Sequence, residues 1–262
     1  MKVIVTGSEG FIGKALVVAL EKRGVEVIGI DRKSGTEVND YFTDPALDLS
    51  DIDVVYHLAA QTSVFNDDDE YIIKDNIRAF INVVHACKQF GTRLIYASSS
   101  TAFNVNTTSL YGLSKRFNEE YAMCYYPQAT GVRLHNVYGP NPRQGTLLWC
   151  LLNQKEVKLY NGGNNTRHFT YIDDIVDGLI ALEKLNHQLV NIANPRKIPV
   201  SAFAALVRLY NKVAIDKCYE QREFDNKAQM VNPEIFTLPL HYTRYEDGIE
   251  KVFRHLENEK AK

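Results

Sequence analysis

The chain has 262 residues, 45% hydrophobic and 24% charged, and its 30 Lys plus Arg stand against 32 Asp plus Glu for a net charge of −2 with neutral histidines. This is globular composition, which excludes a disordered tail, a collagen and a coiled coil, and it lacks the basic excess of a nucleic-acid binder. Cys87, Cys124, Cys150 and Cys218 form no C-x-x-C pair, no apolar run approaches the ~18 residues of a membrane span, and Met1-Lys2 leads straight into a strand-like run with no room for a signal peptide. The expectation is a cytoplasmic chain with no nucleic-acid or membrane partner.

Lys2-Val3-Ile4-Val5-Thr6 is a short β-branched apolar run, the pattern of a parallel strand covered on both faces. It leads into Gly7-Ser8-Glu9-Gly10-Phe11-Ile12-Gly13 and a helical stretch over 14–23; Gly24 closes the helix, and 25–30 reads as a second strand ending at Asp31. Further strand patterns lie at 53–58, 93–97 and 130–134. Between them are helical patterns over 71–90 and 109–125, the second carrying Leu110, Leu113, Phe117, Tyr121 and Cys124 as one stripe. The alternation implies an α/β fold, a doubly wound parallel sheet of the Rossmann type. After Gly139-Pro140-Asn141-Pro142 the rhythm breaks, and the prolines and Gly162-Gly163 beyond it predict a smaller mixed α/β lobe. The expected division is a dinucleotide-binding domain over 1–140, to which 165–194 returns, and a substrate lobe from 141–164 and 195–262.

The glycine cluster is G-x-x-G-x-x-G between a strand and a helix. Gly7 permits the tight turn, Gly10 lets backbone N–H groups reach a pyrophosphate at the positive helix end, and Gly13 allows close packing of helix on strand. Asp31 falls 18 positions after Gly13, where a carboxylate accepts hydrogen bonds from a ribose 2′-hydroxyl and repels a 2′-phosphate, which favours NAD over NADP. Arg32 and Lys33, turned toward a phosphate, would weaken that preference. Tyr111 and Lys115 are four apart and share a helix face; a nearby cation lowers a phenol's pKa from about 10 and makes it a usable general acid or base. Ser98-Ser99-Ser100-Thr101 lies just beyond a strand, at the sheet edge where ligands of such folds bind.

Taken together, TGSEGFIG, Asp31, HLAA (57–60), Asn76, YASSS (96–100), YGLSK (111–115), RLHNVYGP (133–140) and TRHFTYIDD (166–174) resemble the extended short-chain dehydrogenase/reductases. The similarity is to their NAD-dependent epimerase/dehydratase family, which acts on nucleotide-diphosphate sugars. The resemblance implies that Gly7, Gly10, Phe11, Ile12 and Gly13 hold the pyrophosphate of NAD, Asp31 and Arg32 the adenosine ribose, and Asp48 and Leu49 the adenine. Leu58, Ala59, Ala60 and Thr62 would line the cofactor's path, with Asn76 beneath it and His135 also on the cofactor side. Ser99 would be the catalytic hydroxyl, Tyr111 the base, and Lys115 the residue that holds the nicotinamide ribose and tunes Tyr111. Ser100, Asn136 and Arg167 would meet the substrate, the last two at its diphosphate. A homodimer through the helices over 71–90 and 109–125 is implied in the same way.

The activity so implied is a UDP-hexose type 4-epimerase with a transient 4-keto sugar. A 4-ketoreductase with the same Ser99, Tyr111 and Lys115 stays open, as does a non-catalytic dinucleotide sensor. A 4,6-dehydratase of this family would carry Asp-Glu directly after the catalytic hydroxyl, where this chain has Ser100-Thr101. The acidic run at 66–70 precedes a helix and reads as its N-terminal cap rather than as a cation site. No histidine pair has ligand spacing, so no metal is expected, and Ser99 lacks the G-x-S-x-G of a hydrolase.

Overall fold

The computed structural model describes residues 1–62, 69–103, 109–222, 225, 227, 228 and 230–260. In chain order the elements are β1 (Lys2–Thr6), α1 (Phe11–Lys22), β2 (Glu26–Ile30), α2 (Val38–Thr43), β3 (Val54–His57), α3 (Asp69–Tyr71), a π-helical stretch (Ile72–Arg78) continuing into α4 (Ala79–Phe90), β4 (Arg93–Ser99), α5 (Leu110–Tyr125) and β5 (Thr130–Leu134). There follow β6 (Val137–Tyr138), α6 (Leu147–Asn153), β7 (Glu156–Leu159), β8 (Thr166–Arg167), β9 (Thr170–Tyr171), α7 (Ile172–Ala181), β10 (Leu189–Ile192), β11 (Ile198–Pro199), α8 (Val200–Arg208), β12 (Ala214–Lys217), β13 (Phe236–Thr237) and α9 (Tyr245–Lys260).

Among the described residues, seven strands form one sheet in the order β13-β10-β5-β4-β3-β1-β2, every neighbouring pair parallel. The central strands are β-branched and buried on both faces; Val3, Ile4 and Val5 are fully inaccessible, as are Val55 and Ile95. Two compact units result: Met1–Leu134, Val176–Ile192 and Asn232–Leu238 make the first, and His135–Ile175, Ala193–Val231 and Pro239–Lys262 the second. Compared with the division expected from sequence, the first unit stops at Leu134, takes back Val176–Ile192, and recruits Asn232–Leu238. That last recruitment follows from β13 pairing with β10 at the sheet edge. Phe80, Val83, Val84, Leu94, Leu49, Val38 and Phe42 fill the core on one side of this sheet.

The stripe predicted on α5 is real but faces outward. Leu110, Leu113, Phe117 and Cys124 are exposed, whereas Tyr111, Ser114, Lys115, Asn118, Glu119 and Ala122 point inward. In the π-helical stretch before α4, Ile73 is exposed and Ile72, Asp75 and Asn76 are buried, whereas Val84 and Cys87 of α4 are buried in the core. Of the acidic run, 66–68 lie outside the described residues; Asp69 and Glu70 occupy the first turn of α3.

The second unit is built from two-residue and four-residue strand pairs, β6 with β9, β7 with β12 and β8 with β11, around α6, α8 and α9. Its core stacks Phe169 on Phe203 at 4.0 Å, with Tyr138 edge-on to Phe203 at 5.1 Å. Gly248 is required where α9 meets Tyr138, since a Cβ there would come within 2.2 Å of the phenol oxygen.

Candidate active site

The turn after β1 is shaped by its glycines. Gly7 has φ +71° and a Cβ on it would lie 2.8 Å from the Ala59 nitrogen; a Cβ on Gly13 would lie 2.0 Å from the Gly7 carbonyl oxygen. No side chain caps α1 at Gly10 and its first turn carries no acidic residue. The first-turn N–H groups at Phe11, Ile12 and Gly13 therefore lack helical acceptors at the positive end of the helix dipole. A backbone cradle that admits no Cβ and offers a row of donors fits the pyrophosphate of a dinucleotide.

Asp31 closes β2 and is tied to that turn. Its carboxylate accepts the Glu9 N–H at 3.1 Å and the Lys33 N–H at 2.9 Å. Each oxygen retains a lone pair for a ribose hydroxyl. Arg32 points elsewhere: Nη2 meets the buried Asp75 carboxylate at 2.9 Å and Glu37 at 3.3 Å, and these partners hold its pKa up against partial burial. Asp48 is exposed and its carboxylate accepts the Ser50 N–H at 2.8 Å, which lowers its pKa; the Leu49 side chain is committed to the core.

At the end of β3, the Thr6 hydroxyl oxygen accepts the N–H groups of Leu58 and Ala59, both at 3.2 Å, and bonds His57 Nδ1 at 2.9 Å. His57 is buried, and desolvation together with the Lys115 charge pushes its pKa down to about 3, so the ring is neutral. Asn76 is turned to the protein itself. Its amide accepts the Gln61 N–H at 2.7 Å and donates to the Gln61 carbonyl at 2.9 Å and to Ser114 Oγ at 3.1 Å, clamping the segment of Leu58, Ala59, Ala60 and Thr62 against α5.

The end of β4 carries Ser99, whose Oγ accepts from Thr101 N–H at 3.2 Å and Thr101 Oγ1 at 2.8 Å. Ser99, Ser100 and Tyr111 are all nearly buried. Lys115 is 2% exposed; its ammonium donates to the Ala97 carbonyl at 2.9 Å and lies 5.9 Å from the Tyr111 ring centre. Burial lowers the Lys115 pKa to about 8, opposed by the attraction of Glu119 one turn along. Glu119 is itself paired: Arg133 on β5 donates to both its oxygens at 2.8 and 2.6 Å, and Ser98 Oγ donates to one of them. The structure thus brings Ser99, Tyr111 and Lys115 to the C-terminal end of the sheet in the first unit. The sequence reading missed the Glu119–Arg133 pair and Asp75. A helix spacing of four after Lys115 was the available signal for Glu119; for Asp75 there was none.

In the second unit Asn136 adopts φ +24° between β5 and β6, a conformation that asparagine tolerates better than most residues, and His135 is buried edge-on to His168 at 5.7 Å. Arg167 Nη2 donates to the Asp225 carboxylate, which also accepts from Asn165 Nδ2 at 2.8 Å. The second aspartate of the TRHFTYIDD run, Asp174, accepts from the Thr243 N–H and hydroxyl at 3.0 and 2.7 Å, anchoring the approach to α9.

Comparison with known proteins gives a family profile described as "NAD dependent epimerase/dehydratase family", matching residues 3–193. Protein CapI of Staphylococcus aureus is 32% identical over 237 residues, covering 70% of each chain. UDP-glucuronate 4-epimerase 4 of Arabidopsis thaliana is 28% identical over 288 residues, covering 82% of this chain and 64% of that one. Among solved structures, MoeE5 in complex with UDP-glucuronic acid and NAD superposes with a TM-score of 0.83 at 23% identity, over 99% of this chain and 100% of that one. The UDP-N-acetylglucosamine 4-epimerase of Methanobrevibacter ruminantium M1 gives 0.82 at 21% identity over 98% of both chains. These two structures share the fold.

Proposed function

Since the chain belongs to the NAD dependent epimerase/dehydratase family, we propose that it is an NAD-dependent nucleotide-diphosphate-sugar 4-epimerase acting on a UDP-hexose or its uronate. The observation that carries this reading is the buried ammonium of Lys115, fixed by the Ala97 carbonyl within 6 Å of the Tyr111 ring. A charged amine has no structural reason to be dehydrated there, and such groups gather where chemistry needs them. NAD, when bound, supplies the acceptor and donor of hydride. Tyr111 Oη takes the proton of the sugar 4-hydroxyl and later returns one, Ser99 Oγ hydrogen-bonds the same oxygen, and Lys115 favours the phenolate through its charge. The uncapped α1 and Asp31 hold the dinucleotide, while Asn136 and Arg167 are assigned to the sugar-nucleotide's diphosphate. Ser100-Thr101 in place of an Asp-Glu pair disfavours dehydration. The names of the Arabidopsis relative and of a Bacillus cereus UDP-glucuronic acid 4-epimerase structure support a UDP-uronate among the candidate substrates.

The exposed stripe of α5, with the stacked Phe117, Tyr121, Tyr125 and His85, supports a homodimer through this face. The test of function is incubation with UDP-glucose, UDP-galactose, UDP-glucuronate and the N-acetyl sugars, with and without NADH or NADPH. Interconversion of 4-epimers without net cofactor change is expected, and Tyr111→Phe should abolish it while NAD binding persists. Net consumption of reduced cofactor by a 4-keto sugar would assign a ketoreductase instead, and inertness toward all of them a sensor.

A further inference from the structure

We propose that Asp75 sets the chain's choice between NAD and its 2′-phosphorylated form by holding Arg32 away from the adenosine ribose. The inference rests on the reading that Asp31 receives that ribose. Arg32 directly follows Asp31 and is the guanidinium best placed along the chain to pair with a phosphate on the 2′-oxygen, the role an arginine at this point of a dinucleotide fold can fill. In the structure the guanidinium is already spoken for. Asp75, 7% exposed, takes Nη2 at 2.9 Å and also accepts from Gln61 Nε2 at 3.3 Å; Glu37 takes the same nitrogen at 3.3 Å from the other side.

The geometry makes this a lock rather than a passing surface pair. Asp75 sits in the π-helical stretch, whose neighbouring residue Asn76 is pinned by Gln61 and Ser114, so the carboxylate has a fixed seat. The carboxylate is 7% exposed, which strengthens its attraction to the Arg32 guanidinium. With Arg32 neutralised, the ribose end presents the three carboxylates of Asp31, Glu37 and Asp75 against Arg32 and the exposed Lys33, and a 2′-phosphate would meet a net negative charge. Freeing Arg32 reverses both terms: one carboxylate is lost and the guanidinium gains a phosphate to bind in a forked geometry.

The test is calorimetric titration of nucleotide-free protein with NAD, NADP, ADP-ribose and 2′-phospho-ADP-ribose, so that the nicotinamide end is separated from the ribose end. The parent chain is expected to prefer the unphosphorylated ligands. Asp75→Asn should tighten binding of both 2′-phosphorylated ligands at least about tenfold, a change of about 1.4 kcal/mol, and alter NAD affinity less than about threefold. Glu37→Gln, at a half-buried position, should give a smaller gain in the same direction, which keeps the question answerable if Asp75→Asn folds poorly. Adding Arg32→Ala to either variant should erase the gain. A parent with no preference would instead sink the Asp31 reading. A clear parent preference left unchanged by both substitutions, an equal loss of all four ligands, or a gain that survives Arg32→Ala would each overturn the role given to Asp75.

Discussion

Replacing Lys115 by Met should make the protein inactive and, at neutral pH, more stable. Burial holds the Lys115 pKa near 8 against 10.5 for a free side chain. A depression of that size corresponds to about 3 kcal/mol of destabilisation whenever the group is charged. The hydrogen bond to the Ala97 carbonyl returns about 1 kcal/mol, so Met, of similar length and with no charge to desolvate, should gain about 2 kcal/mol. The sign with pH follows from proton counting. Below pH 8 both states of the parent bind the proton and the penalty is complete. Between 8 and 10.5 the unfolded chain holds a proton the folded one has released, so parental stability gains about 1.4 kcal/mol per pH unit from this group, and the advantage of the variant closes. Urea unfolding of both proteins, freed of nucleotide, at intervals from pH 6.5 to 10 measures the gap directly, and subtracting one curve from the other removes the titrations they share. A variant weaker than the parent at pH 7, or a gap that does not change with pH, would refute the argument that Lys115 is a strained functional charge.

Other expectations follow from single contacts. Thr6→Val leaves the Leu58 N–H its bond to the Thr6 carbonyl at 3.2 Å but strips the Ala59 N–H and His57 Nδ1 of their partner, and should cost about 2 kcal/mol in urea unfolding; an unchanged midpoint would show these two groups are met otherwise. Gly13→Ala, whose Cβ would strike the Gly7 carbonyl, should abolish NAD binding in calorimetry and cost about 3 kcal/mol or more. Gly24→Ala has open space and only its φ of +73° to contend with, so it should cost about 1 kcal/mol and leave binding intact. If the proposed dimer forms through α5, the parent sediments as a dimer and Phe117→Glu as a monomer of unchanged circular dichroism; a dimer that persists in the variant would move the interface off α5, and a monomeric parent would refute it.

Much of the first unit was legible because strand alternation and glycine spacing are local. Val3 to Val5, the Gly7-to-Gly13 turn and the position of Asp31 at the end of β2 need no distant partner to be read. What was not legible depends on pairing across the chain. Periodicity showed which residues of α5 share a face but not which way the face points, since that is decided by Asn76, Ala97 and Arg133 meeting Ser114, Lys115 and Glu119 from other elements. The edge strand β13 is two residues long with both side chains exposed, too short for an alternation to be read. Arg32, expected at the adenosine ribose, is instead paired with Asp75, 43 positions on, a partner that no local pattern announces.

The inversion of α5 ties these points together. Rotating the helix half a turn would bury the exposed remainder of Leu113 and Phe117, worth roughly 1.5–2.5 kcal/mol together, and would release Lys115 from its desolvation. The chain forgoes both gains. Tyr111, Lys115 and Glu119 occupy successive turns of the inward face, and Arg133 compensates Glu119, so that the carboxylate supports the ammonium without standing as a lone buried charge. An amphipathic helix that turns its ionisable side inward is destabilising unless that side has work at the sheet edge and the apolar side finds cover elsewhere. The proposed proton transfer at Tyr111 and the proposed second copy over Leu113 and Phe117 are therefore two consequences of one orientation. A variant that disrupts the outer face should loosen the inner one, read as a lower apparent affinity for NAD in Phe117→Glu than in the parent.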